Sequence, residues 1–206
     1  GVRRARVSSQ AWKRATRLAF KQTLNPSELG VRTKRVVELL RDEIKSLEPT
    51  LTDEAETLAK EVFKAIGIKT NAPKKGETEE SGYLLFLSAR QIRALAEAAI
   101  DAARSGGKLG EELKARNVKT LADQAHSVDV ALFGRMVADV SDLNVDAAVQ
   151  VAHAISVHQV ENEFDYYTAV DDRKEGEEET GAGMIGTVEF NSATLYRYAT
   201  VDVDRL

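Results

Sequence analysis

Apolar residues in this chain recur at helical spacing from about Thr33 to Gln124, and from Val128 onward they alternate instead. That change of period constrains the fold more than any other feature. A 3.6-residue repeat buries one stripe of a helix, whereas a 2-residue repeat buries one face of a strand. The chain must therefore combine a helical block with a sheet. In the block, Thr33 to Leu47 reads as a first helix ending before Pro49. A second opens at Thr52, carries Asp53 and Glu54 in its first turn and stops at Gly67. A third spans Ser88 to Arg104 before Gly106-Gly107, and a short fourth covers Glu111 to Arg116. Between the second and third, Lys69 to Gly82 holds a proline, two glycines and many charges, and reads as a loop.

The alternating half begins with Val128, Val130 and Leu132 up to Gly134, and resumes with Val149, Val151, Ile155 and Val157; both segments predict strands. Two extended arms, Glu163 to Val170 and Gly186 to Phe190, flank a loop of acids and glycines from Arg173 to Gly183, which predicts a long hairpin. A final alternating run covers Tyr196 to Val203. At the other end an Arg-x-Arg-Val stretch predicts a short strand. Ser8 or Ser9 then caps a helix with Trp12, Ala15, Leu18 and Ala19 on one side and Lys13, Arg14, Arg17 and Lys21 on the other, ended by Asn25-Pro26. Lifting out the helical insertion and the hairpin leaves a small α+β sheet domain. The chain opens without methionine and closes at the end of an alternating run, so the expected domain is truncated at both ends.

A net charge of −4 argues against a simple nucleic-acid binder. Its distribution argues the other way. Arg3, Arg4, Arg6, Lys13, Arg14, Arg17, Lys21, Arg32, Lys34 and Arg35 face a single acid, Glu28, in the same stretch, while acids gather in Glu175 to Glu179. At physiological salt charges farther than ~8 Å are screened, so a locally basic surface still attracts phosphate. The absence of cysteine excludes disulfides and thiolate metal sites and fits a reducing compartment. No apolar run approaches the ~20 residues of a membrane span, and Arg3, Arg4 and Arg6 lead into a polar helix rather than a secretory signal. A cytoplasmic protein is expected.

Three segments carry a resemblance. They are Arg3-Arg4-Ala5-Arg6-Val7-Ser8-Ser9-Gln10-Ala11-Trp12-Lys13-Arg14-Ala15-Thr16-Arg17, then Val128-Asp129-Val130-Ala131-Leu132-Phe133-Gly134-Arg135-Met136, and then Val151 through His153, His158 and Tyr167 to Asp172, closed by Tyr196-Arg197-Tyr198-Ala199. Together they resemble the CasC-type crRNA-binding backbone subunit of the type I-E CRISPR Cascade complex. The resemblance implies an RRM-like (ferredoxin-like) palm over 1–27 and 126–206, a helical finger domain inserted over 28–125, and a β-hairpin thumb at about 160–190. It further implies a non-catalytic protein that polymerises along crRNA in antiviral defence. Its implied partners are crRNA, target DNA reached through the guide, further copies of itself and other Cascade subunits, with no cofactor, no metal and no membrane.

The candidate RNA contacts are Arg6, Ser8, Ser9, Gln10, Lys13, Arg14 and Arg17, where cations stand beside a helix start whose backbone N–H groups suit phosphate. The plain alternative for that helix is a solvated basic face. By resemblance, Met136 is an apolar wedge between bases with Arg135 holding backbone beside it; by residue type alone Met136 is a core filler or a loop residue. Tyr166 and Thr168 share one face of the hairpin arm and suit stacking on or covering a base. Two rival functions use other residues. One is a ribonuclease working through His153, His158 or Asp171, although the two histidines are five apart in a predicted strand and the adjacent acids Asp171 and Asp172 point apart. The other is a helical protein-interaction module whose basic end serves only solubility.

Overall fold

The computed structural model describes residues 1–72, 78–169 and 184–206, a mixture of helices and short strands. Glu175 to Glu179, Asp171, Asp172 and the expected hairpin tip lie outside the described residues, as does part of the Lys69 to Gly82 loop. The chain divides into two compact units, Gly1–Trp12 with Val151–Ala199, and Lys13–Gln150 with Thr200–Leu206. The boundaries expected at 27/28 and 125/126 therefore differ from the compact division. The reason lies inside the larger unit: Arg17 sits over the Phe86 ring, Asp129 accepts from the Gly30 N–H and Arg135 pairs with Asp123, which ties 13–27 and 126–150 to the helical block.

The core of the larger unit is built from three helices, Val36–Leu47, Ala55–Ile66 and Ala89–Arg104. The first buries Val36, Val37, Leu40 and Ile44, which follow the helical repeat; the second matches it with Leu58, Val62, Phe63 and Ile66. From the third come Ile92, Leu95, Ala96 and Ala99. Each fully buried leucine or isoleucine contributes about 1.5–3 kcal/mol. Ser88 fixes where the third helix starts. Its hydroxyl accepts from the Gln91 N–H at 3.0 Å while Gln91 Oε1 accepts from the Ser88 N–H at 2.9 Å, a reciprocal cap. The second and third helices thus occupy the places expected of them. Among the described residues no helix is long and apolar enough to cross a membrane.

Within the stretch read as a loop, Thr70–Asn71 pairs antiparallel with Glu80–Ser81, and two expectations of whole elements also fail in this unit. The helix expected from Thr33 begins only at Val36, because Gly30–Thr33 is a strand paired antiparallel to Leu85–Ser88, with Val31 opposite Leu87. Leu85, Phe86, Leu87 and Ser88 are all buried, so this strand has no alternation to betray it. Gly30 is where the two strands close up: a Cβ there would lie 2.6 Å from the Phe86 ring and 2.8 Å from Ser127 Oγ. The second failure is the strand expected at Val128 to Leu132, which is instead a helix, Val128–Phe133. Its Ala131 N–H bonds the Ser127 carbonyl, and Gly134 ends it. Six residues are too few to separate the two periods when one of the buried positions, Asp129, is an acid.

The smaller unit holds a three-stranded sheet with Ala154–Ser156 at its centre, Arg6–Val7 on one side and Leu195–Tyr196 on the other. Arg6 and Tyr196 both stand opposite Ile155. Ser156 pins the amino-terminal strand: its hydroxyl accepts from the Ala5 N–H at 3.1 Å, and its carbonyl accepts from the Arg4 guanidinium at 3.1 Å. The predicted hairpin is present as Glu163–Ala169 paired antiparallel to Met184–Phe190. Tyr167 lies opposite Gly186 and its ring fills the space a Cβ there would take, 2.5 Å away. Both faces of this ribbon are open to solvent, with Phe164, Tyr166, Ile185 and Val188 among its exposed residues. A two-stranded ribbon with no core beneath it is marginal in water.

Candidate nucleic-acid interface

In the larger unit the basic side chains lie on the helix that begins at Ser9 and ends at Thr23. Successive helical residues are turned by about 100°, which puts Lys13, Arg14, Arg17 and Lys21 within an arc of about 100°. They do not share one role. Arg17 Nε donates to Asp129 Oδ2 at 3.0 Å, and its guanidinium carbon sits 4.3 Å from the centroid of the buried Phe86 ring. Asp129 is itself buried, accepting from the Gly30 N–H at 2.9 Å and the Ser127 hydroxyl at 2.7 Å. Arg17 thus neutralises an internal carboxylate and is a tie in the fold. Lys13, Arg14 and Lys21 have no ion-pair partner among the described residues, and Arg14 and Lys21 are exposed.

Gly134, Arg135 and Met136 form the next element of the site. Arg135 and Val145 exchange backbone hydrogen bonds at 3.0 and 2.9 Å, and Val137 donates its N–H to Asn144 Oδ1 at 2.6 Å. The extended backbone between these ties turns Arg135 and Val137 inward and Met136 outward, where it is 82% exposed. Met136 is therefore not a core filler. Gly134 makes the turn possible: its φ is +76°, and a Cβ would lie 2.7 Å from the Val145 carbonyl oxygen.

Arg135 corrects the sequence reading. Its guanidinium is buried and its donors are spent inside the protein, on the Leu143 carbonyl at 2.7 Å, the Ala122 carbonyl at 3.0 Å and Asp123 at 2.8 Å. Burial pushes its pKa below the ordinary arginine value, and the Asp123 carboxylate works in the opposite direction. A side chain so engaged holds the loop from within and cannot also hold a nucleic-acid backbone. Nearby, burial and then the Arg135 charge lower the His126 pKa. Gln91 Nε2 lies 3.0 Å from His126 Nδ1, and since the Gln91 oxygen already accepts from Ser88, that ring nitrogen must be the acceptor.

In the smaller unit, Arg6 is exposed and Gln10 is exposed. The helix start is less open to an anion than its residue types suggest. The Ser8 hydroxyl accepts from the Ala11 N–H at 3.1 Å, and the Ser9 N–H donates to His153 Nδ1 at 2.8 Å. Both serines therefore shape the cap. His158 serves similarly, its Nε2 accepting from the Thr194 N–H at 3.2 Å while Nδ1 faces the Gln159 carbonyl at 2.8 Å. Neither histidine sits inside a strand, and each is bound to a different stretch of backbone. Arg197 lies over the Trp12 ring at 4.5 Å. Tyr166, 73% exposed, and Thr168 share one face of the ribbon.

Sequence reasoning missed Asp129 as the partner of Arg17, although an acid between two valines is itself a signal of a buried counter-charge. It also missed Arg90 and Arg93. They start the Ala89–Arg104 helix and line, with Arg14, Lys21 and Arg32, an open cleft of ≈ 800 Å³.

A family model described as CT1975-like protein matches residues 1–206. Among solved structures, a chain described as CRISPR RNA-guided surveillance complex, pre-nicking, is 33% identical with a TM-score of 0.77; the match covers 98% of this chain and 56% of that one. Another, described as CRISPR RNA-guided surveillance complex, is 28% identical with a TM-score of 0.67, covering 98% of this chain and 54% of that one. The chain thus spans a little over half the length of these relatives. No curated protein matches it.

Proposed function

The chain belongs to the CT1975-like protein family, and from that membership we propose that it is the crRNA-gripping part of a type I-E Cascade backbone subunit. In this reading it is non-catalytic, cytoplasmic and polymerises along the guide beside other Cascade subunits. Base pairing of the guide with target DNA supplies the specificity. The sheet of the smaller unit is then part of an RRM-like palm, the helical block is the fingers and the Glu163–Phe190 ribbon the thumb. The observation that carries the proposal is the set of cations without internal partners on one arc of a single helix, Lys13, Arg14 and Lys21, in a chain whose net charge is −4. Cations left unpaired in an acidic protein are available to phosphate, and such contacts are blind to sequence. Two exposed features complete the reading: Met136 as a wedge between bases, and Tyr166 with Thr168 as a cover for a displaced base. Arg6 and Gln10 lie at the entry of the same helix, with Ser8 and Ser9 forming its cap.

A gel shift with RNAs of unrelated sequence over a salt series tests this. Expected are binding that is equal for all sequences, a steep loss with salt, intact RNA, and a uniform weakening in Lys13→Ala with Arg14→Ala. RNA cleavage would favour the ribonuclease reading through His153 or His158. Absence of binding would favour the protein-interaction module.

A further inference from the structure

We propose that the cleft formed in the larger unit by Lys13–Thr23, the Gly30–Thr33 strand and the start of the Ala89–Arg104 helix docks an extended acidic peptide carrying an aliphatic side chain. The inference goes beyond the RNA reading, which also draws on Arg14 and Lys21, whereas Arg32 and Arg90 belong to the cleft alone. Six cations line the cleft against one acid, Glu43. Arg17 is committed to Asp129 and Arg93 bonds Glu97 at 3.0 Å, but Arg14, Lys21, Arg32 and Arg90 have no ion-pair partner among the described residues. Four unpaired cations around one concavity call for an anionic occupant.

Guanidinium forks suit carboxylate and phosphate alike, so charge does not choose between a peptide and a nucleic acid. Two other observations do. The floor is aliphatic: Leu18 and Val31 are 45% and 43% exposed, flanked by Leu39 and Ile92. Among the described residues no aromatic side chain lines the cleft, so bases find no stacking platform in that lining, whereas a leucine or valine side chain finds apolar surface to cover. In addition, Gly30–Thr33 belongs to a two-stranded sheet and pairs only with Leu85–Ser88 among the described residues; on its other edge Gly30 is taken by Asp129 and Arg17, and Arg32 is the residue whose backbone N–H and carbonyl stay open. A peptide backbone can add to such an edge; a sugar-phosphate chain cannot. The volume of ≈ 800 Å³ matches a few side chains better than a long track.

The test uses the intact chain and fluorescence anisotropy with three labelled probes: a peptide of alternating glutamate and leucine, its glutamine–leucine counterpart, and oligouridine. The acidic peptide should bind saturably and the neutral one should not. Arg32→Glu with Arg90→Glu should weaken it by at least about tenfold, as the loss of one good charge-assisted contact already gives. The same charge change at Lys69→Glu with Lys114→Glu should leave it nearly unchanged. Arg32→Gln with Arg90→Gln, which keeps the fold free of new like-charge contacts, should give a smaller loss in the same direction. Absence of peptide binding overturns the proposal, as does equal binding by the cleft variants. So does oligouridine binding that the Arg32 and Arg90 variants reduce as much as they reduce peptide binding, since the cleft would then be a phosphate site.

Discussion

Replacing Arg17 by alanine separates the two jobs that the basic helix holds side by side. The substitution removes a charge-assisted hydrogen bond to Asp129 at 3.0 Å and a guanidinium stacked 4.3 Å from Phe86. A hydrogen bond to a charged group is worth about 1.5–3 kcal/mol, and a partly desolvated cation–aromatic contact about 1–2. The Arg17 side chain is still 24% exposed, so water replaces part of both, whereas Asp129 at 3% stays buried and retains only Gly30 and Ser127 as donors. The net expectation is a destabilisation of about 2–4 kcal/mol, read as a lower urea midpoint with an unchanged slope. Lys21→Ala, at an exposed site without an internal partner, should cost no more than about 0.5 kcal/mol. Combining Arg17→Ala with Asp129→Ala should cost less than the sum of the single changes, with a coupling of about 1–3 kcal/mol. If Arg17→Ala and Lys21→Ala have the same small effect, the buried pair does not stabilise this fold and the argument is wrong.

Gly134→Ala forces a Cβ to within 2.7 Å of the Val145 carbonyl at a φ of +76°, and should cost about 1–3 kcal/mol by chemical denaturation while disordering the loop that presents Met136; an unchanged midpoint would show that the turn is not constrained. Tyr83→Phe removes a buried hydroxyl that has no hydrogen-bond partner among the described residues, so stability should stay level or rise by up to about 1 kcal/mol, and a clear loss in the melting temperature would mean the hydroxyl is satisfied after all. His126 is held neutral in the fold, its pKa lowered by burial and by Arg135. The unfolded chain therefore binds the proton more tightly, and stability should fall as pH drops below about 6.5, the unfolded imidazole value. In His126→Gln that part of the acid sensitivity between pH 7 and 5 should disappear, and identical pH profiles for both proteins would count against it.

Sequence alone determined the elements whose burial is one-sided. The helices at Ala55–Ile66 and Ala89–Arg104 follow from period and cap, because each leaves a polar face that makes its period visible, while Glu163–Ala169 and Met184–Phe190, exposed on both faces, were legible only as the extended arms of a hairpin. It also placed the cations of the first helix on a common arc, which requires only the helix geometry. What sequence could not decide was which groups meet across the fold. The strand at Leu85–Ser88 is buried on both faces and the helix at Val128–Phe133 is short, so neither displays a readable period. Arg14, Arg17 and Arg135 look interchangeable in a list of cations. Only the tertiary structure, by setting Asp129 against one, Asp123 and two carbonyls around another, and solvent around the third, assigned each its work, because the fate of a charge depends on what surrounds it and not on its neighbours in the chain.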